Sequence, residues 1–600
     1  MPASLRNFID LAWKTSIYEK NSCLIVSVVV IHASAAFLEI LMPQSSNPAR
    51  TLNELFDSSC DKFAGRPAVS LAFQEPSTYR EFQAGVLKVA ARLQKLGFGK
   101  GDRVAILAEN SPKWGLVYLG AVRFGVVAVP ILPDFPESDV LHILRDAQAR
   151  LLFTTEKQLE KITELHAGTL DKIVTLDEFQ GQREIVELIT FSEFLAPEQG
   201  SSANDFIAPQ VAGDDLASII YTSGTSGHSK AVMLSHGNFC ANVHSASGLI
   251  NITPDWTFLS VLPMSHAYEF TVGFLLPIRQ GARVVYCDQR PTPTILGKIC
   301  AAEKPTVICV VPMIMEKIYK KRVLPAITSG KLLPLLLKMP LLRDRILAKI
   351  GAKLLRFFGG KLQLMAIGGA PLNIEVEKFL RKSGFPYIVG YGLTEAAPLL
   401  AGGPHGDPTI VVGSCGKPVP SVSVRIVNPD PESGIGEIQA KGPNVMRGYF
   451  NNPQATADTI DSEGWLATGD LGHLDGRNNL FVTGRSKSVI VLSHGENIYP
   501  ETIEEKLNSS IYVAESLVTE ANDKLVASIF PDYEYLDLET AGWSEAERLR
   551  HINGILVEIR KTVNAQLPPY AQLSKVAERQ EPFIKTATHK IKRYLYIENS

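Results

Sequence analysis

From about residue 50 onward, apolar positions recur with two periods that take turns along the chain. In EFQAGVLKVAARLQKLG, Phe82, Val86, Val89, Leu93 and Leu96 fall at helical spacing, and Gly97 follows as a C-cap. RVAILAEN (103–110) is a short β-rich run. A Pro-led helical stretch starts at Pro112, VVAVPIL (126–132) is a second apolar run, and a helix near 138–148 leads into RLLFTT (150–155). Such βαβα alternation predicts an α/β fold with a mainly parallel sheet covered by helices. The polar segment PEQGSSANDFIAPQVAGDD (197–215) reads as a loop. Residues 413–484 change to short strands between Gly, Pro and Asn turns, which predicts a small β subdomain. From 486 to 600 a last unit carries strands and helices of its own.

The first fifty residues stand apart. From Cys23 to Phe37 there is no Asp, Glu, Lys or Arg, and extension to Met42 adds only Glu39. That run approaches the ~20 residues needed to span hydrocarbon. Three readings stay open: a membrane segment over 23–42, an extension of another kind over 1–50, and a start assigned too early, with Met42 opening the chain.

Composition narrows the function classes. With 600 residues, 45% hydrophobic and 20% charged, the chain is a folded protein of several units, neither disordered nor fibrous. Sixty Lys+Arg against 62 Asp+Glu give a net charge of −2, which excludes a surface that is one nucleic-acid footprint. The seven cysteines include no C-x-x-C pair, so neither a metal knuckle nor a dense disulfide framework is expected, and a reducing compartment is. The charge is unevenly spread: between Lys320 and Lys361 there are eleven Lys/Arg and one acid, Asp344. Leucines interleave with these cations at helical spacing. That pattern suits a membrane surface or an acidic partner, or else a solvated helix pair covering the core.

The segment with most chemistry follows the buried run LASIIY. It reads Thr222-Ser-Gly-Thr-Ser-Gly-His-Ser-Lys230. Glycines let a backbone approach phosphate oxygens, hydroxyls and amides donate hydrogen bonds, and Lys230 adds a compact cation. The spacing is not that of the Walker loop. A loop of this composition, taken alone, is more often a flexible connection than a phosphate site.

It has company. Tyr221–Lys230 with the following AVMLSHGNF resembles the signature loop of the adenylate-forming (AMP-binding) superfamily, and further segments resemble that family's motifs in the same order. These are PMSHAYEF (263–270), GGAPL (368–372), GYGLTEAAPLL (390–400), GEIQAKGPNVMRGYF, GWLATGD (464–470), TGRSKSVIVLSHGENIYPETIEEKL and PFIKTATHKIKR. The resemblance covers about 51–600. The basic leucine-rich stretch before GGAPL, with GYGLTEAAPLL and GENIYPETIEEKL, looks like the long-chain fatty acyl-CoA synthetase branch.

The resemblance implies a large domain of layered sheets and helices over 51–485, with a β-barrel-like subdomain at 413–484, and a mobile α+β lid over 486–600. It implies that Thr222, Ser223, Gly224, Thr225, Ser226, Gly227 and Lys230 hold the ATP phosphates. Gly369, Ala370, Gly390, Tyr391 and Gly392 would line the adenine, with Tyr391 stacked on it, while Asp470 would take the ribose hydroxyls and Arg485 the ribose or a phosphate nearby. Thr394 would meet the α-phosphate, and Glu395 with Thr222 would hold Mg²⁺. Lys590 would be the catalytic lysine, Lys487 the hinge and His266 a gate to the acyl pocket. Three positions depart from the family pattern: Ser229 replaces a proline, Ala231 a glycine and His589 the glycine before Lys590. Ala231 is expected to put a methyl near the phosphate path.

The implied reaction is ATP-dependent activation of a fatty acid to acyl-AMP, then transfer to CoA with release of AMP. Acyl carrier protein is an alternative acceptor, and a non-catalytic acyl or nucleotide binder is a different class. The expected partners are fatty acid, ATP and the thiol carrier. A membrane contact through 320–361 and a homodimer remain open, no nucleic acid is expected, and the expected location is the cytoplasm or the membrane face within it.

Overall fold

A computed structural model of the chain describes residues 49–597 other than 163–169, 179–186, 197–207, 223–228, 290, 329–332, 334–335, 494–495 and 587–589. The apolar 23–42 run lies outside the described residues. Among those described, no helix is long and apolar enough to cross a membrane. Residues Arg50–Ser600 form one compact unit.

The alternating pattern produces two large sheets. In one, the order is Gly448–Tyr449, Lys230–Ser235, Leu216–Thr222, Val127–Ile131, Arg103–Leu107, Leu151–Thr154, Lys172–Thr175 and Glu187–Thr190. Its pairs run parallel from Leu216–Thr222 outward to Glu187–Thr190, and the two pairs among the first three strands are antiparallel. In the other, the order is Tyr387–Val389, Leu364–Ile367, Val307–Val310, Thr257–Ser260, Arg283–Tyr286, Pro67–Leu71 and Ser77–Thr78. All of its pairs are parallel except the last.

The helix Pro112–Arg123 touches strands of both sheets and is buried on most of its surface. A helix apolar all round has no solvent face, which is why it sits inside the body. Ser111 caps it by accepting from Trp114 N at 3.2 Å, and Pro112 supplies its first turn. Trp114 stacks on Tyr118 and meets Phe270, which lies on the π-helical segment Glu269–Leu275.

The 413–484 region holds an antiparallel sheet ordered Ser423–Val427, Gly436–Lys441, Leu466–Leu474 and Leu480–Arg485. Beyond it, Val513–Ala521, Lys524–Pro531 and Leu573–Glu578 form a three-stranded sheet. The helices Pro500–Asn508 and Glu545–Asn564 pack with that sheet around a core containing Ile503, Leu507, Leu525 and Leu556. The basic stretch holds the helix Pro340–Phe357, whose Leu347 and Leu354 are buried while Arg345, Lys349, Lys353 and Arg356 are exposed. Lys320 corrects the surface reading of that stretch: it turns inward and bonds to carbonyls of the C-terminal residues.

One buried histidine ties the first helix to the body. His236, at the start of the helix His236–Ser247, accepts from Leu52 N through Nδ1 at 3.2 Å. Burial pushes its imidazole down to about 4, against a smaller opposing effect of Asp215. Between pH ~6.5 and ~4 the unfolded chain therefore binds a proton that the native state refuses, so stability falls as pH falls through that window. His236→Gln keeps an acceptor and removes the titration. The expected result is a urea midpoint that loses about 2 kcal/mol less than the wild type between pH 7 and pH 5.

Candidate active site

The phosphate-loop hairpin is built by the antiparallel pair Leu216–Thr222 and Lys230–Ser235, with Thr222 opposite Lys230. Thr222 Oγ1 donates to Lys230 O at 3.3 Å and closes the base of the loop. Ser223, Gly224, Thr225, Ser226 and Gly227 lie outside the described residues. Strand residues alternate faces. Lys230 points to the cleft, where its Nζ is 3.4 Å from the Tyr449 hydroxyl and 4.4 Å from the centre of that ring. Ala231, one residue on, is buried in the core with Tyr221. The expectation that its methyl crowds the phosphate path is thus overturned by the alternation of the strand.

Tyr449 connects two predicted groups. Its hydroxyl donates to Glu395 Oε1 at 3.0 Å, so Lys230 and Glu395 share one phenol. Glu395 lies in the 3₁₀ turn Thr394–Ala396, and its carbonyl accepts from Met446 N at 2.8 Å. Two buried asparagines hold the same turn. Asn242 and Asn444 each donate from Nδ2 to the carbonyls of Ala396 and Leu399, at 2.8 to 3.3 Å. Gly392 has no alternative here, because a Cβ would sit 2.0 Å from Pro398 O.

Asp470 and Arg485 face each other across adjacent strands, with Arg485 Nε 3.2 Å from Asp470 Oδ1. Tyr391 donates to Asp470 Oδ2 at 2.7 Å, so its hydroxyl is anchored while its ring borders the cleft. Gly390 N donates to Ile367 O at 2.9 Å, carrying the strand Leu364–Ile367 into the site. Gly369 and Ala370 are exposed just beyond that strand's end. Lys487 is exposed in the short turn Ser486–Ser488, directly after Arg485.

Lys590 belongs to a small hairpin in which Thr586 N donates to Lys590 O at 2.8 Å. Arg485, Asp470 and Glu395 are the charged groups that act on its ammonium. The surrounding protein, and then Arg485, lower its pKa to about 8, against the two carboxylates. The residue still exposes much of its surface, because the cleft it enters is open. Its neighbour Lys585 is engaged elsewhere, 2.6 Å from Glu515 Oε1.

His266 Nδ1 accepts from Tyr268 N at 3.2 Å. Burial, reinforced by Lys590, holds its imidazole down at about 4, so it is neutral at pH 7. His266 and Thr394 border a cavity of about 750 Å³, partly open to solvent, whose walls are mostly aliphatic. Tyr268 lines it too, but spends its hydroxyl on Ala366 O at 2.9 Å.

The donor set suits Mg²⁺. Glu395 has spare acceptor capacity beside a phosphate loop, and Mg²⁺ is ordinarily held by one or two carboxylates plus substrate phosphates. Among the described residues no group of three or more His, Cys, Asp or Glu forms a cage of its own. The sequence reasoning missed Tyr449, Asn242 and Asn444. Tyr449 and Asn444 lie within a quoted motif, GEIQAKGPNVMRGYF, and only their position in space marks them. Tyr449→Phe keeps the ring and removes the shared hydroxyl. It is expected to weaken Mg-ATP binding about tenfold in titration calorimetry while leaving the melting temperature nearly unchanged.

Comparison with known proteins agrees with this geometry. The chain is 31% identical over 506 residues to a long-chain-fatty-acid–CoA ligase of Bos taurus, an alignment spanning 78% of this chain and 68% of that protein. It is 28% identical over 484 residues to a 4-coumarate–CoA ligase of Vanilla planifolia, covering 78% of this chain and 81% of that one. Among solved structures, an anthranilate CoA ligase in complex with anthranoyl-AMP shares the fold with a TM-score of 0.75 at 20% identity, over 92% of this chain and 97% of that one. The family model described as AMP-binding enzyme matches residues 56–450, and the chain belongs to that family.

Proposed function

We propose that this protein uses ATP to adenylate a long-chain fatty acid and then passes the acyl group to the thiol of CoA. The observation that carries the substrate class is the aliphatic cavity that begins at His266 and Thr394 and is walled by Leu249, Ile250, Val272, Leu276, Leu364 and Ile388. Away from the nucleotide end these side chains offer no hydrogen-bond partner. A phenolic acid such as 4-coumarate would bury its hydroxyl unpaired there, at a cost of about 1–3 kcal/mol. An alkyl chain incurs no such cost, and each buried methylene gains about 0.8 kcal/mol.

In the first half-reaction a carboxylate oxygen attacks the α-phosphorus of ATP. A P–O bond forms, the bond to pyrophosphate breaks, and acyl-AMP results. The loop from Thr222 to Lys230 holds the β- and γ-phosphates, Asp470 accepts from the ribose hydroxyls, and Thr394 meets the α-phosphate. Mg²⁺, when bound at Glu395, neutralises phosphate charge. Lys590 and Lys230 offset the negative charge that builds on the transferring group. In the second half-reaction the thiolate attacks the acyl carbonyl and AMP leaves. Lys590 must vacate the site for pantetheine, so residues 486–600 act as a lid that turns near Lys487.

The exposed cations of the helix Pro340–Phe357 extend this reading. Arg345, Lys349, Lys353 and Arg356 have no ion-pair partner among the described residues, and Leu347 and Leu354 beneath them join the core that also takes in Tyr268 and Val272 at the cavity wall. That face fits an anionic bilayer from which an apolar acid is drawn. Replacing the four cations by Gln is expected to abolish salt-sensitive sedimentation with phosphatidylglycerol vesicles and to leave exchange with soluble octanoate unchanged.

ATP–pyrophosphate exchange across a chain-length series decides the substrate. Palmitate is expected to drive exchange well above octanoate and 4-coumarate, and CoA to give a thioester in the second step. A preference for 4-coumarate would overturn the substrate class. A thioester formed with acyl carrier protein but not with CoA would overturn the acceptor and leave the adenylation reading standing.

A further inference from the structure

The lysine that reaches the cleft is held there from a distance. Arg593, three residues past Lys590, pairs with Glu504 and lies 3.7 Å from Glu501, both on the helix Pro500–Asn508. Glu504 Oε1 also accepts from Val518 N at 2.7 Å, which fixes that helix to its own sheet. The Lys590 hairpin and the helix Pro500–Asn508 therefore move as one piece.

That helix is gripped at its far end by a side chain of the main body. Lys320 Nζ, on the π-helical segment Tyr319–Val323, donates to Ser510 O and to Val513 O, each at 3.0 Å. Ser510 lies just past the C-cap Ser509 and Val513 opens the strand Val513–Ala521, so the lysine bonds the turn that joins the helix to its sheet. Two carbonyls bonded by one ammonium of the main body fix where that turn docks. Glu505, on the same helix, sits near the amide of Ile374 at the start of the helix Ile374–Ser383, which favours its carboxylate against the stronger opposing effect of burial. Lys321 adds an exposed pair with Glu534 at 2.9 Å, which contributes little.

We infer that Lys320 is a positioning residue for adenylation: by clamping the end of the helix Pro500–Asn508 it holds the docked arrangement that places Lys590 beside Glu395, Asp470 and Arg485. It touches neither substrate nor nucleotide. The inference rests on the proposed role of Lys590 in the first half-reaction. Because the clamp belongs to one docked arrangement, it must open when residues 486–600 turn for the thiol step. Its loss therefore impairs one half-reaction and spares the other.

The test measures the two halves separately in the full chain: palmitate-driven ATP–pyrophosphate exchange, and thioester formation from supplied palmitoyl-AMP and CoA. Lys320→Met is expected to lower exchange about tenfold, the size set by one hydrogen-bonded charge. Thioester formation should stay level or rise. Lys320→Arg, which keeps a donor, should recover part of the exchange. Glu505→Gln, on the opposite partner, should reproduce the split without altering the buried lysine.

Lys590→Ala provides the reference. Adding Lys320→Met to it should cause no further loss of exchange if Lys320 acts through Lys590. Equal losses in both halves, or additive losses in the double variant, would overturn the clamp. If Lys590→Ala alone leaves exchange intact, it is the assignment of Lys590 that fails, and the Lys320 single variants then report on docking by themselves: unchanged exchange in them refutes the clamp as well.

Discussion

Two buried amides fix the place on which the rest of the cleft depends. Asn242 and Asn444 come from sequence positions far apart, yet both donate to the carbonyls of Ala396 and Leu399. Leu399 N returns a hydrogen bond to Asn242 Oδ1 at 3.2 Å. An amide buried among paired partners is costly to disturb, because loss of either member strands a desolvated polar group. The turn Thr394–Ala396 is therefore set by the core. From there the order spreads outward. Met446 N reaches the Glu395 carbonyl, the following Gly448–Tyr449 joins the edge of the Lys230 strand, and Tyr449 delivers its hydroxyl between Lys230 and Glu395. Lys230 and Glu395 stand in a fixed relation through one hydroxyl, which is the condition for electrostatic preorganisation.

Burial lowers the pKa of Lys590 to about 8, Arg485 adds to that, and Asp470 and Glu395 act in the opposite sense. On the proposed reading, the negative charge of a bound polyphosphate would favour the charged form of that lysine. The coupling is reciprocal: whatever nucleotide does for the Lys590 ammonium, the ammonium does for nucleotide affinity. His266 belongs to the same field. Burial and the nearby lysine keep it neutral, so it adds no third cation at the mouth of the acyl cavity.

Much of this was legible in the sequence, for identifiable reasons. The 3.6 and 2.0 periods gave the helix Tyr79–Lys95 and the strands Arg103–Leu107 and Val127–Ile131 nearly to the residue, because each buries one face or both. The motifs placed Lys230, Glu395, Asp470, Arg485 and Lys590 at one cleft, because their chemistry is carried by local strings. What stayed hidden depends on partners remote in sequence. Asn242 sits in an unremarkable helical run. Ala231 read as a methyl in the phosphate path, but strand alternation turns it into the core. Lys320 belonged to a run of cations that read as one surface, yet it is buried against the carbonyls of residues 190 and 193 positions away.

Glu269 went unread in PMSHAYEF, where nothing local distinguishes it from a surface acid. It is fully buried on the π-helical segment, and burial pushes its carboxyl up to about 8, so it is neutral at pH 7. Its neighbour Tyr268 lines the acyl cavity while Glu269 lies against Gly273 in the core, where a Cβ on that glycine would strike the carboxyl at 2.5 Å. The segment thus keeps its acid away from that cavity. At the other end of the site the problem is the opposite one, a charge that must be brought in. Insertion of Lys590 is opposed by Arg485 and by the protein around it, so the empty cleft alone does not favour the docked arrangement. A contact that favours it is that of Lys320 with the carbonyls of Ser510 and Val513, at a distance from the cleft. Such a contact supplies docking energy that does not depend on the groups lining the cleft.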